Sequence, residues 1–474
     1  MQFRGRIHTF FVCALVSLIA LPACTAGPAS DGPTSTVSPT SVEAPGVDYT
    51  STTATASTTV TPGGAVTWTN CGEIECGVLK APASHREPGG RLISVGVYVR
   101  RAVAPRVGTL VLLPDYDGAT ARDLATVPVV HVGAAARRFD VMAVSPRGFY
   151  DSTPLPCAHA LPYVPPDGDA FAVSASCRSD ESLNSVVYGA LEAVSDLELL
   201  VSSENTGPVS VVGWGRGATI AAAWKMLHPS SVSTMVLDSP DDPGISQRRV
   251  AQLNRAAEDA GVNNVMKWCT AHLSCPLFEN AAKRANLVLT RIREGRANAG
   301  ATVATFRTAF RNTISSGDHG ALFQALSRAE NDDYAPLVAL AGADAAAAGS
   351  RFAAVIAGAC GDMSAAETEL VMADDAAFEE TVFRVGMGDT LARICSGLPE
   401  PAEPIGAVRA ADGARGSRVQ VFVAAADGIT SPVMVQAFAK RVAWKFRAVK
   451  ANRHLVVGFD RTTTDWVSNF LLEG

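Results

Sequence analysis

Short runs of apolar residues alternate along this chain with longer stretches in which apolar residues recur at helical spacing. The runs are rich in Val, Leu and Ile and are too short for helices, which is typical of buried strands. The predicted strands are 92–98, 108–113, 139–144, 208–213, 233–238, 418–424 and 444–449. This alternation predicts an α/β protein with a mostly parallel sheet and helices on both of its faces.

The helical stretches divide the chain further. Apolar residues spaced three or four positions apart predict an amphipathic helix between 182 and 202. The stretch from 245 to 350 shows no strand pattern and is rich in Ala and Arg, and strands resume only at 418. We therefore predict a helical cap, residues 245–350, inserted into an α/β core formed by residues 66–244 and 351–474.

The amino-terminal residues have the pattern of an export signal. Arg4 and Arg6 precede an apolar run from Phe10 to Leu21, which is too short to span a membrane comfortably. The run ends in Leu-Pro-Ala-Cys, which resembles a bacterial lipobox and implies cleavage before Cys24 and lipid attachment to its thiol. We predict that residues 1–23 are removed and that Cys24 anchors the protein to the extracytoplasmic face of the cell membrane. The alternative is an ordinary secretory signal with an unrelated cysteine.

Composition separates the next segment from the rest of the chain. Residues 24–65 are mainly Thr, Ser, Pro, Gly and Ala and cannot bury enough apolar surface to offset the entropy of ordering. We predict a disordered tether there. Over the whole chain, 47% apolar and 18% charged residues describe a globular protein. The net charge of −6 gives no basic surface for nucleic acid, so no nucleic-acid partner is expected.

The cysteines favour disulfides over a metal site. If Cys13 leaves with the signal and Cys24 carries lipid, eight of the ten cysteines remain, an even number in an exported protein. Pairing of sequence neighbours is the hypothesis we adopt, although spacing alone does not establish it: 71–76, 157–177, 269–275 and 360–395. No metal ligand set is expected.

The stretch "VSVVGWGRGATIAAAW" at 208–223 runs a strand through three glycines into an alanine-rich helix. Gly213-Trp214-Gly215-Arg216-Gly217 has the frame of a nucleophile elbow, G-x-S-x-G, with Gly215 where the serine belongs. Glycine supplies no oxygen for acyl transfer, although it adopts the strained backbone of such a turn without penalty. The same residues, with Ala218, also fit the dinucleotide fingerprint G-x-G-x-x-G/A.

Two later residues favour the elbow. An α/β-hydrolase orders its catalytic residues as nucleophile, acid and histidine, in loops after successive strands. Asp427 follows the predicted strand 418–424, and His454 follows the strand 444–449. We predict that Asp427 and His454 are the acid and the base of a triad frame whose nucleophile position is Gly215.

The dinucleotide interpretation is weaker but stays open. Asp238 ends the next strand, about where a ribose-binding carboxylate would lie. Against it, the fingerprint normally opens its domain, and here three predicted strands precede it. Trp214 and Arg216 would also crowd a loop that must let pyrophosphate approach the backbone.

Several stretches in intact order resemble a known family. They are "WTNCGEIECGVLKAP" at 68–82, "FDVMAVSPRGFYDSTPLPC" at 139–157, "SVVYGALEAVSDLELL" at 185–200, "TMVLDSPDDPG" at 234–244, "KWCTAHLSC" at 267–275, Cys360 with Cys395, and "DGITSP" before "NRHLVV". From Trp68 onward the chain resembles the actinobacterial tripeptidyl-aminopeptidase-like (TAP-like) α/β-hydrolases. The resemblance implies an exported hydrolase fold with a helical cap, of a kind that cleaves short amino-terminal peptides or small esters through Ser, Asp and His. It places Asp427 and His454 at the acid and base positions and Gly215 at the nucleophile's.

The chain departs from this family a second time, after an early strand. The family has a glycine-rich loop there whose backbone N–H stabilises the oxyanion. The matching stretch here is Leu113-Pro-Asp115-Tyr116-Asp117-Gly118. A carboxylate from Asp115 or Asp117 near a developing oxyanion would oppose its charge, unless both side chains point to solvent.

These features predict a membrane-anchored, extracytoplasmic α/β-hydrolase-fold lipoprotein that has lost serine catalysis. It would act by binding a small peptide or ester-like ligand or a protein partner, and no cofactor is expected. The alternative is an active hydrolase or aminopeptidase of short peptides or esters. Its nucleophile would be displaced, with Ser152 and Ser239 as the hydroxyls to check, or water would be oriented by His454 and Asp427.

Overall fold

Nine strands form one twisted sheet whose parallel part carries the candidate site. In spatial order they run β1-β2-β3-β5-β4-β6-β7-β8-β9. The strands are β1 Val66–Asn70, β2 Glu75–Pro82, β3 Leu92–Arg100, β4 Gly108–Leu113, β5 Phe139–Val144, β6 Val209–Trp214, β7 Val232–Asp238, β8 Val419–Ala424 and β9 Lys445–Val449. Strands β1, β2, β3 and β5 pair antiparallel, and every pair from β5 and β4 to β8 and β9 is parallel.

This computed structural model describes residues 64, 66–155, 170–178, 186–342, 345–376, 388–398 and 404–473. Residues 60–474 form one compact unit. The predicted signal segment, Cys24 and nearly all of the predicted tether lie outside the described residues. Gly64, at the end of that tether, donates a backbone hydrogen bond to the carbonyl of Lys80. Among the helices that the structure describes, none combines the length and apolarity needed to cross a membrane.

All seven predicted strands are confirmed, with ends that shift by at most two residues, although β3 pairs antiparallel with both of its neighbours. The apolar runs identified them because β4, β6 and β8 are buried along nearly their whole length. The hairpin of β1 and β2 is missing from the prediction. Its residues alternate between exposed and buried positions at the edge of the sheet, so they form no continuous apolar run.

Helices cover the sheet and build a separate layer. They are α1 Ala121–Thr126, α2 Pro128–Val132, α3 Ala170–Arg178, α4 Ala190–Ser203, α5 Gly215–Leu227, α6 Gln247–Ala271, α7 Ala281–Arg293, α8 Val303–Ser316, α9 His319–Ala329, α10 Ala335–Gly342, α11 Ala345–Asp362, α12 Ala365–Ala376, α13 Gly388–Cys395, α14 Pro432–Arg441 and α15 Arg461–Leu472. The helix predicted within 182–202 begins only at Ala190, because Gly189 has a φ of +134° that no helix accommodates.

The described part of the segment predicted as a cap consists of helices joined by turns, and helices α6 to α10 bury a core of their own. That core contains Val265, Leu289, Phe310, Phe323 and Tyr334. The boundary predicted at 350/351 lies inside α11. Phe352 and Ile356 of α11 pack instead into the core between the sheet and α4 and α5.

Disulfides link sequence neighbours. The pairs Cys71–Cys76, Cys269–Cys275 and Cys360–Cys395 are present as predicted. Cys177 is also disulfide-bonded, whereas Cys157, its predicted partner, lies outside the described residues. The first bridge closes the turn between β1 and β2, and the third joins α11 to α13.

Candidate functional site

The strand β6 passes directly into α5 at Gly215, and this turn has the backbone of an elbow. Gly215 is buried and has a φ of +45°, a conformation that side-chain-bearing residues rarely adopt. Gly217 approaches the preceding loop so closely that a Cβ there would overlap the carbonyl of Leu113. The glycine frame is therefore required by close packing of β4, β6 and α5.

The acid and the histidine meet beside this turn. Asp427 follows β8, and its Oδ2 lies 2.8 Å from Nδ1 of His454. The Oδ1 atom of Asp427 accepts backbone N–H groups from Ile429 and Thr430, at 2.9 and 3.0 Å. Both side chains are buried, with 0% of Asp427 and 3% of His454 exposed. The loop order thus brings two of the three predicted triad positions into direct contact.

The third position is filled by Asp115 of the loop after β4. Its Oδ1 accepts the backbone N–H of Arg216 at 2.8 Å, and its Oδ2 lies 3.5 Å from Nε2 of His454. The backbone of Tyr116 also helps to lower the pKa of this carboxylate. A Cβ built on Gly215 would lie 2.8 Å from Oδ2 and closer still to Oδ1. Both distances are shorter than the contacts that real Cβ atoms make. The Asp115 carboxylate thus occupies the space of a side chain at residue 215.

The amide on Asp115 belongs to Arg216, the residue after Gly215. In a hydrolase elbow, the amide of the residue after the nucleophile is one of the donors to the oxyanion. Of the two orientations considered for this loop, solvent or site, the structure shows Asp115 pointing into the site with 8% of its side chain exposed. A carboxylate of the same chain therefore lies on the amide that follows Gly215.

Charge at the site follows from this packing. Burial by itself would lower the pKa of the His454 imidazole, but Asp427 and Asp115 outweigh it and raise that pKa well above its ordinary value. Burial by itself would raise the pKa of Asp115, but His454 and the amides of Arg216 and Tyr116 outweigh it and lower that pKa. The His454 ring thus lies between two carboxylates, both of which favour its protonated form.

Tyr116 turns away from the imidazole. Its ring stacks on Phe149 with centroids 5.2 Å apart, and burial raises the pKa of its hydroxyl. The side chain of Arg216 pairs with Asp362 at the end of α11, and Asp362 also accepts the N–H of Ala190. These contacts fix Tyr116 and Arg216, the residues that follow Asp115 and Gly215.

A comparison with known proteins shows which family the chain belongs to. A family model described as the alpha/beta hydrolase fold matches residues 131–453, more than half of the chain. The chain belongs to the α/β-hydrolase family. Its elbow at β6 and α5, with acid and histidine after β8 and β9, follows the order of that family.

Similar individual proteins include a serine protease, Hip1, from Mycobacterium bovis and from Mycobacterium tuberculosis. Each is 24% identical over 260 residues, which are 46% of this chain and 48% of the relative. The chain therefore spans about half the length of the curated relatives it matches.

Among solved structures, a proline iminopeptidase-related protein from Thermus thermophilus is 13% identical, with a TM-score of 0.37. The match covers 83% of this chain and 96% of that one. A bromoperoxidase from Bacillus anthracis is 11% identical, with a TM-score of 0.36, and the match covers 84% of this chain and 98% of that one.

The two serines proposed as displaced nucleophiles are engaged elsewhere in this α/β-hydrolase. The Ser152 hydroxyl donates to the carbonyl of Ser145 and accepts the N–H of Gly96, so it joins a loop to β3. The Ser239 hydroxyl lies 3.0 Å from Oδ2 of Asp427, on the acid's side of the imidazole. Neither contact places the hydroxyl at Nε2 of His454, where a nucleophile must be activated.

Asp238 has a structural role that the dinucleotide interpretation did not foresee. Its Oδ2 accepts the N–H groups of Val456 and Val457, both at 2.7 Å, and so holds the loop that follows His454. Burial raises the pKa of Asp238 to about 6. Its carboxylate is committed to these amides, which counts against a role in binding ribose.

Another loop contact links the elbow to the histidine. The Trp214 indole N–H donates to the carbonyl of Val457 at 3.0 Å, and the backbone N–H of His454 donates to the carbonyl of Ser315 in α8.

Within the ranges that the structure describes, no group of three or more His, Cys, Asp or Glu side chains is arranged to hold a metal ion. Sequence reasoning missed Trp214, Ser239 and Asp238 as positioning residues because their partners lie more than 180 positions away.

Proposed function

We propose that this α/β-hydrolase is a membrane-anchored, extracytoplasmic lipoprotein that has lost serine-type acyl transfer and acts by binding a ligand or a protein partner. One observation carries the proposal. The nucleophile position is Gly215, and the space of its absent side chain holds the carboxylate of Asp115, bound to the amide of Arg216.

Both parts of serine chemistry are affected by this arrangement. Acyl transfer needs an oxygen within hydrogen-bond reach of the imidazole, and loss of the serine in such a triad lowers turnover by a factor on the order of 10⁶. Stabilisation of the tetrahedral intermediate needs free amide donors, and the amide of Arg216 already donates to Asp115. A substrate carbonyl would have to displace a buried, hydrogen-bonded carboxylate.

The alternative is an active hydrolase or aminopeptidase of short peptides or esters. The intact pair of Asp427 and His454, the similarity to a serine protease and the resemblance to TAP-like enzymes favour it. Against a water-based route, Asp427 and Asp115 raise the pKa of His454 well above its ordinary value and so favour the protonated ring, whose Nε2 cannot accept a proton from water. The binding function is therefore the better supported of the two.

A fluorophosphonate probe tests the loss of the nucleophile directly. We expect no covalent labelling of the purified protein, whereas the double variant Gly215→Ser with Asp115→Gly is labelled because it regains a hydroxyl and a free oxyanion site. Stoichiometric labelling of the unaltered protein, abolished by His454→Gln, would refute the proposal and support the alternative.

The anchor rests on the lipobox and is tested separately. We expect the protein expressed in a lipoprotein-processing bacterium to incorporate labelled palmitate and to partition into the membrane fraction. Cys24→Ala removes both properties, whereas Cys13→Ala, within the predicted signal, serves as the matched control and retains them. Equal membrane partition of the Cys24→Ala protein would contradict lipid anchoring at this residue.

A further inference from the structure

The strand β9 is the last strand of the sheet, and its outer edge is open. It pairs with β8 on one side, in parallel register over Lys445–Val449, and no other described strand pairs with it. Lys445, Arg447 and Ala448 are exposed, so the described helices leave this edge uncovered. A strand with one unpaired side presents backbone N–H and C=O groups that can bind another strand.

The stretch that contains this edge is basic, although the whole chain carries a net charge of −6. Residues 428–459 include six Lys and Arg and no Asp or Glu. Two of the six have partners, because Arg441 forms an ion pair with Asp242 and Arg453 lies over the ring of Phe459. The other four are exposed and form no ion pair with any described carboxylate: Lys440, Lys445, Arg447 and Lys450. Uncompensated positive charge is therefore concentrated at and beside the open edge.

Two of these cations share a face of β9. Lys445 and Arg447 are two positions apart, so both side chains lie on the same side of the pleated strand. The guanidinium of Arg447 lies 5.5 Å from the centroid of the Trp466 ring in α15, which places it on the α15 side of the sheet. A strand added to this edge would bring its own alternate side chains beside Lys445 and Arg447.

The charges decide between two occupants of the edge, a second copy of this chain and an acidic strand. If the β9 edges of two copies paired, their Lys and Arg side chains would lie together, and like charges on paired strands are destabilising. Cations on edge strands are one means by which proteins prevent such self-association. A strand with carboxylates at alternate positions meets the same cations with opposite charge. The edge therefore favours an acidic segment over a second copy.

We propose that β9 is a docking edge for an extended, acidic segment of a partner protein. The backbone of that segment adds a strand to the sheet through hydrogen bonds to the open side of β9. Its Asp or Glu side chains, at alternate positions, pair with Lys445 and Arg447. Lys450, directly after the strand, extends the positive surface that attracts the segment.

This inference goes beyond the proposed function, because it assigns a binding surface at the edge of the sheet and not at the elbow of Gly215. It depends neither on the lipid anchor nor on the loss of the nucleophile. Fluorophosphonate labelling of the unaltered protein would refute the proposed function and leave the docking edge standing. Failure of peptide binding at β9 would refute the docking edge and leave the elbow as described.

Fluorescence anisotropy with a dye-labelled peptide of alternating Glu and Val tests the docking edge. We expect the purified protein to bind this peptide and not to bind a peptide with Lys in place of Glu. A Glu peptide with every backbone nitrogen methylated should bind at least about tenfold more weakly, because it has no N–H groups to donate to β9. Absence of binding, or equal binding of the methylated peptide, would overturn the proposal, since charge alone would then explain any attraction.

Charge reversal on β9 locates the site. We expect Lys445→Glu with Arg447→Glu to bind the Glu peptide about tenfold more weakly or less, and to bind the Lys peptide instead. Binding of the Lys peptide also shows that the double variant is folded. Lys267→Glu with Lys283→Glu, at two exposed cations of the cap, changes the net charge equally and is the matched control that retains binding of the Glu peptide. Equal weakening in both double variants would overturn the assignment to β9.

A membrane is the other anionic surface that this edge could meet, and vesicles of phosphatidylglycerol test it. We expect the protein to bind the Glu peptide equally well with and without these vesicles. Vesicle binding that depends on Lys445 and Arg447, without binding of the peptide, would assign the edge to a lipid surface and overturn the proposal.

Discussion

The carboxylate of Asp115 and a side chain at residue 215 exclude one another. Gly215 leaves open the space in which Asp115 contacts both the amide of Arg216 and the imidazole of His454. The two departures from the hydrolase pattern, one on the elbow and one on the loop after β4, are therefore parts of a single arrangement. Reversing one of them alone leaves a steric or electrostatic conflict.

The first prediction concerns this exclusion. We expect Gly215→Ser alone to show no esterase activity, because its Cβ overlaps the Asp115 carboxylate, whereas Gly215→Ser with Asp115→Gly hydrolyses a short-chain nitrophenyl ester. Initial rates measured for both variants and the unaltered protein provide the check. A single variant as active as the double one would mean that Asp115 leaves the site readily.

The second prediction concerns the charge on the imidazole. In Asp115→Asn, the pKa of His454 should fall below its value in the unaltered protein, because one of the two carboxylates that raise it is neutral. The His454 resonances followed by NMR over a pH titration give this value. Asp117→Asn is the control and should leave the midpoint in place, and an unchanged midpoint in Asp115→Asn would contradict the ion pair.

The third prediction concerns Asp238 and the pH dependence of stability. Burial raises the pKa of this carboxyl from 3.8 to about 6 in the folded state, so the folded protein binds the proton more tightly than the unfolded chain. Its contribution to the free energy of unfolding is fully present below pH 3.8 and is lost as the pH rises through about 6. Asp238→Asn removes this part of the pH dependence.

Urea unfolding across that pH window measures the difference. The curve of unfolding free energy against pH should be flatter for Asp238→Asn than for the unaltered protein, while the exposed Asp412→Asn leaves the curve unchanged. If the unfolding free energy of Asp238→Asn declined equally steeply with rising pH, a group other than Asp238 would be responsible for the pH dependence.

The fourth prediction concerns the packing of the elbow. Gly217→Ala places a methyl group against the backbone carbonyl of Leu113, and backbone yields less readily than a side chain. We expect a loss of stability of about 1–3 kcal/mol, as for overpacked cores. Gly89→Ala is the matched control, because a Cβ there meets no atom within 4 Å, and thermal unfolding of both variants compares them. Equal melting temperatures would mean that the loop after β4 moves aside at little cost.

Much of the architecture followed from local patterns. The strands β3 to β9 were predictable because their burial produces runs of apolar residues, and the order of elbow, Asp427 and His454 along the chain predicted which loops meet. The edge hairpin of β1 and β2 was not predictable in this way, because exposed residues interrupt both of its strands. The start of α4 was misjudged for a related reason: apolar spacing continues through Val187, but the backbone at Gly189 does not.

By itself, the sequence determined that residue 215, between the strand β6 and the helix α5, has no side chain, because the identity of a residue is a local fact that no fold can alter. It left open whether Asp115 faces solvent or the site. Only the tertiary structure decided that question, since the carboxylate reaches its position through an amide 101 residues later and an imidazole further still along the chain. Such contacts depend on how β4, β6 and the loop after β9 come together in the sheet, and no periodicity within one segment encodes them.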